Sequence, residues 1–169
     1  WSANFKSSVV VSVDASWGRS SSWGVLGSAR PGSFFSAFSG APDPSLWYAS
    51  ALANALAGKD LDPVNPEIEI SITSNAPWYY GIDGKCPARS YDLVSVILHE
   101  MGHGLGFMSG SYYDSGSGFG RVDLPTPFDA YAQLPDGRRL ADMPSPSIET
   151  GKALTSNLVW SGEIAVKSN

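Results

Sequence analysis

An α+β fold is predicted for this chain from three observations. A β-branched run lies near its start, one strictly alternating strand lies in its middle, and two stretches space their apolar residues at helical intervals. The 169 residues are 43% hydrophobic with a mean hydropathy of −0.08, which is enough for one ordinary domain with a real core. The expected architecture is a mixed, twisted sheet, a packing helix, and a second helix that carries both histidines of the chain.

Val9 to Val13 (Val-Val-Val-Ser-Val), bounded by serines and Asp14, reads as a central strand. Ser16 to Gly24 reads as a Ser/Gly-rich turn. Trp23 to Ala29 and Ser33 to Phe38 follow as strand pieces, split by the turn signal Arg30-Pro31-Gly32. A helix is expected from Pro44 and Ser45, with Leu46, Ala49, Leu52, Ala53 and Leu56 on its core face and Gly58 as its stop. Glu67 to Ile72 then alternates, Ile68, Ile70 and Ile72 on one face and Glu67, Glu69 and Ser71 on the other. Such a strand suits a sheet edge, either plainly solvated or free to pair with an extended peptide backbone. Asn75 to Pro87 is irregular; its Trp78, Tyr79 and Tyr80 either wall a cleft or pack under a loop.

The next helix has Ser90 as its expected N-cap and Asp92 at the positive end of its dipole. Val94, Ile97, Leu98, Met101 and Leu105 are spaced to pack on the sheet, and Gly102, Gly104 and Gly106 should end the helix. Ser109 to Gly120 reads as a Ser/Gly/Tyr loop. A calcium ligand at Asp114 has no support beyond its carboxylate, and a solvated turn is the expected reading. Asp136-Gly137 signals a tight turn between Leu134 and Arg138. Leu154 to Trp160 and Ile164 to Val166 offer at most short strands.

Charged residues are 16% of the chain, the net charge is −5 and the pI is about 4.8. An acidic chain argues against a nucleic-acid partner, whose phosphates would require a basic face. Low charge content with abundant serine, glycine and tryptophan suits an exported protein. No apolar run approaches the roughly 18 residues of a membrane span. The chain starts at Trp1 with no leader, as expected after processing or for an excerpt of something longer. Its single Cys86 suits a small buried hydrophobe; pairing with a cysteine outside the chain, or a thiolate on a metal, are the alternatives.

The stretch that carries chemistry is His99-Glu100-Met101-Gly102-His103. Two histidines four apart lie on one face of a helix, one turn apart, so both imidazoles can reach one zinc ion. Glu100 then sits beside the metal without ligating it, placed to take a proton from an activated water and pass it to a leaving amine.

With its trailing Gly106 this motif resembles the zincin metallopeptidases, and among them the metzincin pattern H-E-x-x-H-x-x-G-x-x-H. The match runs through Gly106 and departs at Ser109, which stands where that pattern has its third histidine. A closer resemblance covers about Ala51 to Asn169. It is carried by Trp78-Tyr79-Tyr80-Gly81, Asp83-Gly84 with Cys86-Pro87, Tyr91 to Val96, the motif itself, and Ala153-Leu154-Thr155-Ser156-Asn157. These segments are similar to a group of secreted bacterial zinc metallopeptidases, some with a protease-associated domain. The resemblance implies a zincin-type catalytic domain over residues 1–169, zinc on His99 and His103, Glu100 as the catalytic base, and a protein or peptide substrate.

A hydrolytic zinc site normally has three protein ligands, and this motif supplies two. Asp114, Asp123, Asp129 and Asp142 are candidates that would have to fold back. The expectation is instead that the chain is the N-terminal portion of a longer catalytic unit, with the third ligand in the remainder. Tyr79, Tyr80, Tyr112, Tyr113 and Tyr131 are candidate oxyanion donors. The competing reading is an extracellular adhesin or surface-layer module on a zincin scaffold, which would have no need of Glu100. A structural zinc site is weaker still, because such sites are closed by four ligands.

Overall fold

The computed structural model describes residues 5–162; Trp1 and the expected strand piece Ile164 to Val166 lie outside the described residues. Among the described residues four helices and several small sheets give a mixed α+β architecture. The chain divides into two compact units. The first is Trp1–Pro42 with Ala49–Phe107, and the second is Asp43–Tyr48 with Met108–Asn169.

In the first unit the strands are β1 (Val13–Gly18), β2 (Gly27–Pro31) and β3 (Phe34–Phe35). A two-residue strand, β4 (Tyr48–Ala49), leads into helix α1 (Ser50–Ala57). Strands β5 (Ile68–Thr73), β6 (Trp78–Tyr79) and β7 (Tyr91–Asp92) precede helix α2 (Leu93–Gly104). The main sheet has the order β1-β5-β2, with β1 parallel and β2 antiparallel to β5, so it is mixed as expected.

Its centre is β5, which corrects the expectation of an edge. Strand β1 covers one side, Val13 opposite Ile68 through Gly18 opposite Thr73, and β2 covers the other, Gly27 opposite Ile72 through Pro31 opposite Ile68. The run Val9 to Val13 is likewise not the central strand. Pairing begins only at Val13, and the strand runs on to Gly18 through the residues expected to turn. Glu67, expected in water, is buried: its carboxylate accepts from Ser12 N (2.6 Å), Ser12 Oγ (2.7 Å) and Asn54 Nδ2 (3.0 Å). Glu69 instead pairs across the strand with Arg30.

Ile68, Ile70, Ile72 and Trp78 form the core, with Leu93, Val96, Ile97, Met101 and Leu105 packed against it. Helix α2 therefore turns a slightly different face inward than expected, leaving Val94 and Leu98 partly exposed. Gly104 does not break the helix; it is its last residue and lets it lie close to β5. A Cβ at Gly104 would come within 2.3 Å of Ile68 Cγ2. Helix α1 starts at Ser50 rather than Pro44, because Asp43 Oδ1 accepts from Ser45 N and Oγ and closes a local turn instead. Gly58, at φ 66°, ends α1 as expected.

The second unit contains a hairpin, β8 (Ser111–Tyr113) with β9 (Gly120–Val122), in place of the expected loop. Helix α3 (Pro127–Tyr131), strand β10 (Ala132–Gln133), a single 3-10 turn, helix α4 (Ile148–Leu154) and β11 (Val159–Trp160) follow. Thr126 and Asp129 form a capping box on α3. Ala132, Leu140 and Ala153 make a small core with Val122, Leu134, Met143, Leu154 and Leu158. The Asp136-Gly137 turn forms as expected, Leu134 N donating to Arg138 O.

Candidate metal centre

Helix α2 begins one strand later than its sequence signal. Its N-cap is Asp92, not Ser90, with the Asp92 carboxylate accepting from Ser95 N at 2.7 Å. From that start His99 and His103 fall on one face in the last two turns. Their rings stand nearly perpendicular, 89° apart, with centroids separated by 4.6 Å. The two Nε2 atoms are 3.0 Å apart. Such a pair either shares a proton or brackets one ion.

A second contact fixes how His103 presents itself. Its Nδ1 lies 3.0 Å from Phe107 O. A carbonyl only accepts, so Nδ1 carries the proton and the Nε2 lone pair is left free, the arrangement that orients metal-binding histidines. The turn that brings Phe107 back is local. Gly106, at φ 105°, follows the helix, Gly106 N donates to His103 O and Phe107 N donates to Gly102 O. A residue with a side chain would be strained at that φ. The sequence pointed to Gly106 as the end of the helix; it did not point to the Phe107 carbonyl, which no residue-type pattern marks.

The spacing of the two imidazole nitrogens is compatible with zinc, of whose usual three protein ligands they would be two. Two nitrogens at about 2.0–2.1 Å from one tetrahedral ion would be separated by roughly 3.3 Å, close to the observed spacing. The remaining candidates for a third ligand are each engaged within their own surroundings. Ser109 Oγ donates to Asp129 Oδ1 (2.5 Å), and Asp129 also receives Gly110 N and Ser111 Oγ. Asp114 accepts from Gly116 N and Ser117 Oγ, and these bonds hold its carboxyl below the usual range. Asp123 pairs with Arg121, and Asp142 with Arg139. Cys86 is half-buried, with its Sγ 3.4 Å from Ser90 O. Among the described residues no group of three or more His, Cys, Asp or Glu is arranged to hold a metal ion.

Glu100 is buried, whereas its neighbour His99 is exposed to solvent. Glu100 is 7% exposed, and among the described residues no hydrogen-bond donor engages its carboxylate. Its stem rests over β2 at Gly27. A Cβ there would lie 3.3 Å from Glu100 Cγ, 3.2 Å from Ser71 O and 2.9 Å from Ile72 Cδ1. Gly27 is thus a site residue that sequence reasoning missed, since nothing local to it points to a helix more than seventy positions away.

The candidate oxyanion donors are dispersed. Tyr79 donates its hydroxyl to Asp83, a bond that raises the tyrosine's pKa and lowers the aspartate's. Tyr80 is exposed against Trp17, Tyr112 lies under Arg121, and Tyr131 packs on Trp160. Tyr113 is exposed on the β8 strand. The idea that β5 offers a free edge to a substrate fails outright, because both its sides are paired. No helix among the described residues is long and apolar enough to cross a membrane. No protein-family model matches the chain, and no curated protein or solved structure is significantly similar to it.

Proposed function

We propose that this chain is a zincin-type, secreted zinc metallopeptidase that hydrolyses peptide bonds with Glu100 as general base. The observation that carries the reading is the pair of Nε2 atoms 3.0 Å apart, one of them oriented by the Phe107 carbonyl. A mixed sheet with the motif helix packed across it is consistent with a zincin scaffold. The acidic, charge-poor composition supports export.

His99 and His103 would hold the ion through Nε2. When bound, zinc supplies a Lewis acid that polarises the scissile carbonyl and brings the pKa of a water toward about 7. Glu100 accepts the proton of the attacking water at a carboxylate oxygen and returns it to the departing amine. Two features suit it to that work. The residue as a whole is only 7% exposed, and no carboxylate oxygen of it is both buried and unpartnered. Phe107 O keeps the His103 proton on Nδ1, and Gly27, having no side chain, leaves room for the Glu100 stem.

The test separates binding from chemistry. Competition with a chromophoric chelator should show His103→Ala losing at least about tenfold in zinc affinity, while Glu100→Gln binds zinc like the parent. Peptide cleavage should then be abolished by phenanthroline and restored by zinc. Cleavage that persists without metal would overturn the proposal.

A further inference from the structure

We infer that the outer edge of β1 is a self-pairing surface, through which two copies of this chain join their sheets into one. The backbone parity of β1 is fixed at both ends. Ile68 N donates to Ser12 O (3.2 Å) and Ser74 N donates to Gly18 O (2.7 Å), so the even-numbered residues bond toward β5. Val13, Ala15 and Trp17 therefore direct their N–H and C=O groups outward. Among the described residues strand β1 ends the order β1-β5-β2, and all six of its residues are exposed.

Natural edges are guarded by lysine, proline, bulges or a covering element. The opposite edge is guarded in this way, since β2 carries Arg30 and ends on Pro31. Strand β1, Val-Asp-Ala-Ser-Trp-Gly, has no lysine or proline and only one charge, Asp14, and it leaves Trp17 50% and Val13 41% exposed.

The strand is also complementary to itself. Antiparallel pairing about a twofold axis at Ala15 sets Ala15 against Ala15 of the second copy. All three outward residues then fall in hydrogen-bonded pairs, with Trp17 opposite Val13. An aromatic facing a β-branched residue is a favourable cross-strand pair, and the small central alanines leave room for it. On the other face Asp14, the only charge in the strand, falls opposite Ser16. The Ser16 hydroxyl now makes only a long 3.4 Å bond to Ile70 O and is available to donate to that carboxylate. The result is a six-stranded sheet in the order β2-β5-β1-β1-β5-β2, with an isologous interface.

Sedimentation of the 169-residue chain over a concentration series tests this. The chain should show a reversible monomer–dimer equilibrium. Ala15→Pro removes one outward N–H and none of the β1–β5 bonds, so it should give a monomer with an unchanged thermal melt. Ser16→Arg should tighten the dimer and Ser16→Asp should weaken it. Each shift should be roughly two- to thirtyfold, from two symmetric cross-strand pairs. A chain that is monomeric at every concentration overturns the inference, as does a dimer indifferent to Ala15→Pro and to both Ser16 variants. So does a monomer that takes up only an unrelated extended peptide along this edge.

Discussion

Two buried carboxylates, one in each unit, are treated in opposite ways. Asp129 is fully buried and surrounded by donors: Ser109 Oγ and Ser111 Oγ on one oxygen, Gly110 N and Thr126 N on the other. Glu100 is nearly as buried, yet among the described residues nothing donates to it. Burying a carboxylate costs free energy unless hydrogen bonds offset it. Asp129 recovers that cost by tying the start of β8 to the cap of α3, which is a structural use. Glu67 follows the same rule with Ser12 and Asn54. Glu100 has no such partner among the described residues, and since no buried side-chain oxygen there lacks a partner, its oxygens are not both buried and unpartnered, which leaves them open to a water.

The sharpest way to break this contrast is to neutralise both groups isosterically. Glu100→Gln should lower peptidase activity at least about a hundredfold, the scale of losing a general base, with thermal stability little changed. Asp129→Asn should do the reverse. Its amide nitrogen would face backbone donors that now meet an oxygen, at a cost of about 2–4 kcal/mol, read as a lower denaturant midpoint. Equal destabilisation by the two variants would remove the distinction and return Glu100 to an ordinary structural role.

A second pair of substitutions asks what the glycines beside the site are for. Gly104→Ala drives a methyl into Ile68, and overpacking of that kind costs about 1–3 kcal/mol. Gly27→Ala bears on both stability and function, because its new methyl meets Ile72 Cδ1 first, at 2.9 Å, then Ser71 O and the Glu100 stem. It should leave zinc affinity intact and lower kcat about tenfold with little change in KM, as expected for a misplaced catalytic group. A Gly27→Ala enzyme with normal kcat would show that Glu100 is positioned by something else.

Much of this contrast was legible in the sequence on the motif side and little of it elsewhere. Helical spacing around His99 and His103 was enough to predict α2 and the convergence of the rings, because both depend on residues within a few turns. The alternation of Glu67 to Ile72 identified a strand correctly and its place in the sheet wrongly. Alternation reports that one face is wet; it says nothing of whether the backbone edges are paired. Here the wet face and the paired edges coexist, and Glu67 is withdrawn from water by Ser12, fifty-five positions away. The β8–β9 hairpin was hidden because Ser111-Tyr112-Tyr113 sits among glycines. The Thr126–Asp129 capping box was visible in principle, as a threonine followed three residues later by an acid with proline between them. The Asp129 network was not, since its donors come from a separate segment at Ser109 to Ser111.

The smallest effect concerns a carboxylate that is neither buried nor idle. Asp83 accepts the Tyr79 hydroxyl, and Gly81 makes this possible, since a Cβ there would collide with the Tyr79 ring. The Tyr79 bond, with Lys85 N as a second donor, lowers the Asp83 pKa below its ordinary value, and the same bond raises that of Tyr79. The signs oppose one another. The Asp83 contribution is complete above the unfolded-state value near 3.9 and fades as the pH falls through the lower folded value. The Tyr79 contribution is complete below its unfolded value near 10 and fades as the pH rises through the higher folded one. Between these limits the pair should add a constant, small increment, because both groups are exposed to water and screened. Tyr79→Phe should therefore lower stability slightly and uniformly across neutral pH. Its difference from the parent should narrow in acid below about pH 4 and in base above about pH 10. Denaturant midpoints measured from pH 3 to pH 11 would show it. A difference that widens at either end would mean that the hydroxyl and the carboxylate are not bonded in solution. The contrast would then hold only for groups buried deeply enough to need a partner.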